Sequence, residues 1–112
     1  MRTLIMLLFL LPAIAGQAQD KKKMESLTIR TSAVCGTCKK TIESELLFAK
    51  GVKQVEVDLE RGVIHVDYDP RRTDADGVRV AVTRIGYSAD ELPADPKAFQ
   101  ALPSCCQRSE KH

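Results

Sequence analysis

The sequence predicts an α+β sandwich, in which two helices cover one face of a four-stranded antiparallel sheet. Two observations lead to this prediction. Apolar and polar residues alternate in three short segments, as in half-buried strands, and apolar residues recur at helical spacing in two others, the second of which is followed by one more short strand segment. Along the chain the order is strand, helix, strand, strand, helix, strand. Two strand-helix-strand units therefore meet at a hairpin, which is the ferredoxin-like βαββαβ arrangement.

The first strand and the first helix flank a short loop. Leu27 and Ile29 form the inward face of a strand with a period of two. From Cys38 the period lengthens, and one helical face carries Cys38, Ile42, Leu46 and Ala49. Gly51 is a typical residue just beyond a helix end. We therefore expect Cys38 to face the domain interior.

The central strands form a predicted hairpin. Residues 55–59 and 64–68 both alternate, and the turn Glu60-Arg61-Gly62 between them is short enough for antiparallel pairing. Asp67 and Asp69 are candidates for a carboxylate pair, but Asp69-Pro70 is better explained as a turn. His65 lies on the polar side of the hairpin, where we expect it to be solvated.

The second helix is predicted from one apolar stripe, formed by Val78, Val82 and Ile85. Thr73 and Asp76 fit a capping box at its start, and Gly86 fits its end. Residues 87–92 are predicted to form the last strand, and a short helical turn is expected within 95–102.

Residues 1–18 have the layout of a secretory signal peptide, with a basic start, an apolar run and small residues near the end. Cleavage is expected after Ala18, with Ala15 as the alternative site. The apolar run is shorter than the roughly 20 residues of a spanning helix. We therefore expect secretion across the inner membrane into the periplasm, and no membrane span in the mature chain.

Four segments follow from this pattern: a signal peptide at 1–18, a polar lead at 19–25, a domain at 26–92 and a tail at 93–112. Removal of Arg2 with the signal peptide leaves 16 basic and 15 acidic residues of the chain's 17 and 15. With two Tyr, three Phe and no Trp, this scattered charge does not favour a nucleic-acid partner. We expect a monomer.

The four cysteines occur as two close pairs. Cys35 and Cys38 lie in the loop before the first helix, Cys105 and Cys106 lie in the tail, and residues 39–104 contain none. An exported chain permits disulfides, and four cysteines allow three pairings. Disulfide-dependent small proteins spread their cysteines through the fold, so this layout favours another sulfur chemistry.

Metal binding is that chemistry. Amides at a helix N-terminus favour the thiolate, and Lys39 and Lys40 are expected to add positive charge beside Cys35 and Cys38. Thiolates are soft ligands that suit Cu(I) and Zn(II), and by the same softness Hg(II) and Cd(II). Structural disulfide formation between Cys35 and Cys38 is the less favoured alternative.

The motifs resemble those of the heavy-metal-associated domain family over residues 26–92. They are the Cys-x-x-Cys after the first strand, its spacing to the hairpin, Tyr68-Asp69-Pro70, and Ile85-Gly86-Tyr87. The resemblance implies that Cys35 and Cys38 bind a soft ion, Cu(I) foremost and Hg(II), Zn(II) or Cd(II) as alternatives. It also implies transfer by ligand exchange to a membrane metal transporter or another metal-binding domain.

Two features depart from the family pattern. Ser32-Ala33 stands where the family usually has Gly-Met, which predicts a looser loop. Cys105 and Cys106 lie outside the family core, and they are candidates for further metal ligands, for an accepting site or for a surface thiol pair. Tyr87 takes a place held by lysine in some chaperones and is expected to shield the loop.

The competing function is thiol-disulfide exchange by Cys35 and Cys38, because a Cys-x-x-Cys at a helix start can be a redox pair. A thioredoxin fold needs a strand-helix-strand unit before its motif, and here one short strand precedes it. We therefore expect a metal-binding protein and not an enzyme, without catalytic residues. Passive sequestration and delivery of the ion both stay open.

Overall fold

The computed structural model describes residues 24–111 of the 112-residue chain. The strands are β1 Glu25–Arg30, β2 Val52–Asp58 and β3 Val63–Tyr68, and the helices are α1 Gly36–Glu45, α2 Ala75–Ile85 and α3 Pro96–Gln100. Short 3₁₀ segments cover Leu46–Phe48 and Ser104–Lys111. The predicted signal peptide at 1–18 lies outside the described residues. Among residues 24–111, no helix has the length and apolar character needed to cross a membrane.

The sheet has three strands in the order β1-β3-β2, and both pairings are antiparallel. Leu27 lies opposite Val66 in one pairing, and Val57 lies opposite Ile64 in the other. The predicted hairpin is therefore confirmed. Gly62 has a φ of 68°, a left-handed conformation that glycine adopts without steric cost, and it closes the turn between β2 and β3.

The prediction of a fourth strand at residues 87–92 is wrong, because the sheet formed by residues 24–111 has three strands. Residues 87–92 meet the chain just after β1 through a single bridge between Thr31 and Ala89. Ala89 and Leu92 exchange backbone hydrogen bonds with each other, so this segment folds back on itself. Asp90, with a φ of 55°, accepts the Arg30 backbone N–H on its carboxylate at 2.9 Å. A side chain thus satisfies an edge donor that a fourth strand would have paired.

One apolar core holds α1 and α2 against the sheet. Its fully buried members include Ile29, Ile42, Leu46, Ile64, Val78 and Val82. Side chains of β3 point alternately toward this core and toward solvent, so that Val66 is buried and the neighbouring His65 is exposed. The two helical stripes and the strand faces predicted from periodicity therefore meet in the same core.

The end of α2 was predicted correctly and its start was not. Asp74, rather than Thr73, caps the helix, and its carboxylate accepts the Gly77 N–H at 2.8 Å. Asp76 instead pairs with Arg79. Gly86 ends the helix with a φ of 120°, as its position in the sequence indicated.

Candidate metal centre

The loop pair is positioned by the start of α1. Cys35 is the N-cap residue, with extended backbone at a φ of −141°, and Cys38 lies three residues later in the first turn. Residues spaced by three share a helical face, so the two sulfurs lie 3.3 Å apart. Cys38 is fully buried within the core, as its place on the apolar stripe predicted, and Cys35 is half-buried.

The tail folds back over this loop. Asp95 caps α3 by accepting the Ala98 N–H, and the chain then turns through Pro103 into the second 3₁₀ segment. This return places Cys106 in the core with no exposed surface and leaves Cys105 half-buried at the rim.

All four predicted cysteines come together in what we call the four-sulfur cluster: Cys35, Cys38, Cys105 and Cys106. All four are free thiols. Cys35 is central, with its Sγ 2.9 Å from that of Cys105 and 3.6 Å from that of Cys106. The two tail sulfurs lie 3.9 Å apart. Cys35, Cys105 and Cys106 all lie within 4.8 Å of one another.

These distances fit a shared metal ion. A thiolate binds a zinc-sized ion at about 2.3 Å, so two sulfurs on one ion lie at most about 4.6 Å apart. The Cys35–Cys38 separation of 3.3 Å and the tail separation of 3.9 Å are both within that limit. Small outward movements of the side chains would let the sulfurs bind one ion.

Cys35 is the thiol that ionises most readily. Burial raises the pKa of Cys35, but hydrogen bonds from the Cys105 thiol, the Cys38 backbone N–H and the Cys38 and Cys106 thiols outweigh it and lower the pKa to about 6. Cys35 makes no full capping hydrogen bond, yet the Cys38 N–H is close enough to stabilise its thiolate. The cluster thus offers one thiolate surrounded by donors at neutral pH.

The tail thiols have the opposite tendency. Burial raises the pKa of Cys106 far above its ordinary value, and hydrogen bonds with the Cys38 and Cys35 sulfurs raise it further. The pKa of Cys105 is raised as well, mainly because its thiol donates to Cys35. Binding of a metal by these two sulfurs would therefore release protons.

The expected role of Lys39 is not found. Its ammonium donates to the Glu43 carboxylate at 2.9 Å and to the Val57 carbonyl at 2.7 Å, which ties α1 to β2. The hydrogen bond from Lys39 lowers the pKa of Glu43. The Lys39 ammonium is therefore engaged in linking α1 to β2. The groups that stabilise the Cys35 thiolate are the neighbouring thiols and the Cys38 backbone amide.

Tyr87 lies beside the cluster, as its position after α2 predicted. It is fully buried, and its hydroxyl has no hydrogen-bond partner at bonding distance among the described residues. Burial raises its pKa, and the nearby Cys106 and Cys38 sulfurs raise it further. Ala33 is buried in the same core.

The other polar candidates lie away from the sulfurs. His65 is on the exposed face of the sheet, with its Nδ1 3.2 Å from the Thr28 hydroxyl. Asp67 accepts a hydrogen bond from the Ser26 hydroxyl at 2.8 Å. Asp69 accepts the Arg71 N–H at 2.9 Å, which confirms the turn predicted there.

Sequence reasoning named all four sulfurs but missed the residues that place the tail. Leu102 packs against Gly86, where an added Cβ would lie 3.1 Å from the leucine Cγ. The Gln107 amide donates to the carbonyls of Gln100 and Leu102. The one available signal was Asp95-Pro96, a helix start shortly before the cysteine pair.

Comparison with known proteins places this geometry in context. The sequence profile described as "Heavy-metal-associated domain" matches residues 28–88. Copper chaperone CopZ of Staphylococcus haemolyticus is 36% identical over 53 residues, which are 47% of this chain and 78% of that protein. The copper-exporting P-type ATPase of Staphylococcus aureus strain JH9 is 36% identical over 59 residues, which are 53% of this chain. The chain spans only 7% of that ATPase.

A solved structure shares the fold. Oxidized MerP from Ralstonia metallidurans CH34 superposes with a TM-score of 0.56 and 22% identity, covering 60% of this chain and 94% of MerP. At that identity the likeness concerns the fold.

Proposed function

Because the chain belongs to the heavy-metal-associated domain family, we propose that it binds a soft metal ion through Cys35 and Cys38 and hands it on by thiolate exchange. The observation that supports this most is the pair of sulfurs 3.3 Å apart at the start of α1. One of them is held as a thiolate near pH 6 and above, and thiolate is the form that binds metal.

Cu(I) is the first choice for the ion. The similar proteins named above include a copper chaperone and a copper-exporting ATPase. Thiolates also suit Hg(II), Zn(II) and Cd(II), so these are the alternatives. Cys105 and Cys106 are proposed as additional ligands because their sulfurs lie within 4.8 Å of Cys35.

Ligand exchange accounts for delivery. The half-buried Cys35 is accessible to an incoming ion or thiol, whereas Cys38 is held inside the core. A receiving thiolate can bind the ion at the Cys35 side while Cys38 retains it, so the ion is never free. A membrane metal transporter or a second metal-binding domain is the proposed recipient, as the family relatives suggest.

Export is part of the proposal and is supported by the sequence of residues 1–18. We expect the mature protein to begin at Gln19 and to occur in the periplasmic fraction. N-terminal sequencing of the fractionated protein tests this. A full-length chain retained in the membrane fraction would contradict it.

Thiol-disulfide exchange is the second candidate function. It is favoured by the lowered pKa of Cys35 and by the adjacent Cys38 sulfur, a combination that suits a redox pair. An insulin-reduction assay separates the two proposals. A rate like that of a thioredoxin would favour the oxidoreductase.

Titration of the reduced chain with Cu(I) against a competing chelator tests metal binding. We expect one tightly bound ion, and an affinity at least about 100-fold lower in Cys35→Ser/Cys38→Ser, because even partners outside the ligand set change metal affinity by about 10- to 100-fold. Unchanged affinity in this variant would refute the proposal.

Gly36→Ala is the matched control, because Gly36 lies between the two ligands and a Cβ there meets nothing within 4 Å. It should bind Cu(I) like the unmodified chain. This outcome would assign the loss in the serine variant to the sulfurs and not to a disturbed loop.

A further inference from the structure

The four-sulfur cluster is not centred on the Cys-x-x-Cys pair. The shortest separation is 2.9 Å between Cys35 and Cys105, which is shorter than the 3.3 Å between Cys35 and Cys38. The trio in which every sulfur is within 4.8 Å of every other is Cys35, Cys105 and Cys106. The tail therefore places two further sulfurs directly against Cys35.

The tail is docked by side chains and not by backbone pairing. We call residues 96–107 the C-terminal segment. Asp95 donates its N–H to the Thr83 carbonyl. After Asp95, the backbone hydrogen bonds found between described residues stay within the tail, as in those from Phe99 to Asp95 and from Cys106 to Pro103. The segment thus holds its own shape and can leave without breaking the sheet.

Two side chains of the segment pack against the domain. Leu102 is half-buried against Gly86, and Cys106 is fully buried beside Tyr87 and Cys38. Cys105 remains half-exposed at the outer side of the cluster. The arrangement has an inner tail sulfur held by packing and an outer one in contact with Cys35.

We propose that the C-terminal segment is a built-in competitor for the thiols of the receiving protein. Cys105 and Cys106 bind the ion together with the loop pair, and a partner gains the ion only as the tail sulfurs leave. This inference rests on the proposed metal-binding function and adds a regulatory step to the same site.

The exchange step balances without a redox reagent. A thiol of the acceptor loses its proton and forms a metal–sulfur bond, while the bond from Cys105 to the ion breaks and the released thiolate takes up a proton. The oxidation state of the ion does not change.

The position of the tail sulfurs against Cys35 also affects which metal ions the site retains. Three thiolates around one ion at about 2.3 Å lie about 4 Å apart, close to the 3.9 Å between the tail sulfurs. Ions that accept three or four thiolates would gain from the tail. An ion bound only by Cys35 and Cys38 would not.

The experiment compares the full reduced chain with Cys105→Ser/Cys106→Ser, each loaded with one equivalent of Cu(I) under anaerobic conditions. Bathocuproine disulfonate is added as the acceptor, and its coloured Cu(I) complex reports both rate and equilibrium. We expect the variant to release Cu(I) at least about tenfold faster and to bind it at least about tenfold more weakly. Equal rates and equal affinities would overturn the inference.

Two further variants keep the test decisive. Cys105→Ser alone leaves the buried Cys106 packing in place, so it reports on the thiol even if the double variant is unstable. It should also release Cu(I) faster. Ser104→Ala alters an exposed neighbour in the same segment and should behave like the unmodified chain.

Failure of this inference is distinguishable from failure of the proposed function. If Cys35→Ser/Cys38→Ser loses binding while the tail variants match the unmodified chain, only the competitor role is refuted. If the loop variant binds Cu(I) normally, the proposed function itself is refuted.

Discussion

Cys35 is the one cysteine of the four-sulfur cluster that combines three properties. It occupies the N-cap position of α1, it is half-buried, and it contacts every other sulfur of the cluster at 2.9–3.6 Å. Its thiolate is stabilised by neighbouring thiols that donate hydrogen bonds, so its ionisation depends on where the tail lies. Reactivity at this one atom therefore reports on the assembled site.

Alkylation of Cys35 in the metal-free chain should rise with pH through a midpoint of about 6, because iodoacetamide reacts with the thiolate. Fragment-ion mass spectrometry of the peptide with Cys35 and Cys38 measures it. In Cys105→Ala the midpoint should move upward, since the strongest lowering hydrogen bond is lost. A midpoint near the ordinary cysteine value of about 8.5 in the unmodified chain would contradict this prediction.

The same lowered pKa has a consequence for stability. Cys35 binds its proton less tightly in the folded chain than in the unfolded chain. Its contribution to the free energy of unfolding is therefore fully present above the ordinary cysteine pKa and is lost as the pH falls through about 6.

At the scale of elements, Asp90 joins the segment after α2 to β1. Its carboxylate accepts the Arg30 N–H at 2.9 Å and the Arg79 Nε–H at 2.8 Å. Burial acts to raise the pKa of Asp90, but these hydrogen bonds and the two arginine charges outweigh burial and lower it. The connection replaces the pairing that a fourth strand would have given.

Asp90→Asn should lower the free energy of unfolding at pH 7 by about 1–2 kcal/mol, because hydrogen bonds to a charged group are lost while Asn still tolerates the left-handed backbone. Urea denaturation at several pH values measures this. Since the folded pKa is lowered, the difference should be present above the ordinary Asp pKa and should vanish as the pH falls through the folded one.

Asp76→Asn is the control for that experiment. It removes a carboxylate that also pairs with Arg79, but the Asp76 side chain is 87% exposed. The expected change is within about 0.5 kcal/mol, as is usual for exposed ion pairs. An Asp76 effect as large as that of Asp90 would contradict the assigned role.

For the whole molecule, the tail contributes to the core without building the sheet. The strands and the first two helices supply most of the buried cluster, and the tail adds Cys106 as a fully buried member and Leu102 packed against it. We therefore expect the domain to fold without the tail, although both supply sulfurs to the candidate metal site.

A chain ending at Ala94 should remain folded, with a free energy of unfolding lower by about 1–3 kcal/mol, because it loses the burial of these two side chains. Urea denaturation followed by circular dichroism measures the change. A chain ending at Gln107 retains all four cysteines and serves as the control for shortening. An unfolded product after truncation at Ala94 would show that the tail is required for folding.

The sequence by itself determined what local periodicity and local backbone rules decide. The alternation around Leu27 and Val66 gave the strands, Gly86 gave the end of α2, and the spacing of Cys35 and Cys38 gave a sulfur pair at a helix start. Each of these depends on neighbours a few residues away, so the chain alone contains the information.

Only the tertiary structure decided that Cys105 lies 2.9 Å from Cys35, across a separation of 70 residues. It also decided that Lys39 donates to the Val57 carbonyl of β2 and that the Asp90 carboxylate accepts the Arg30 N–H at the edge of β1. In each case several partners compete for one group, and the winner depends on packing between distant segments. Periodicity does not encode that competition.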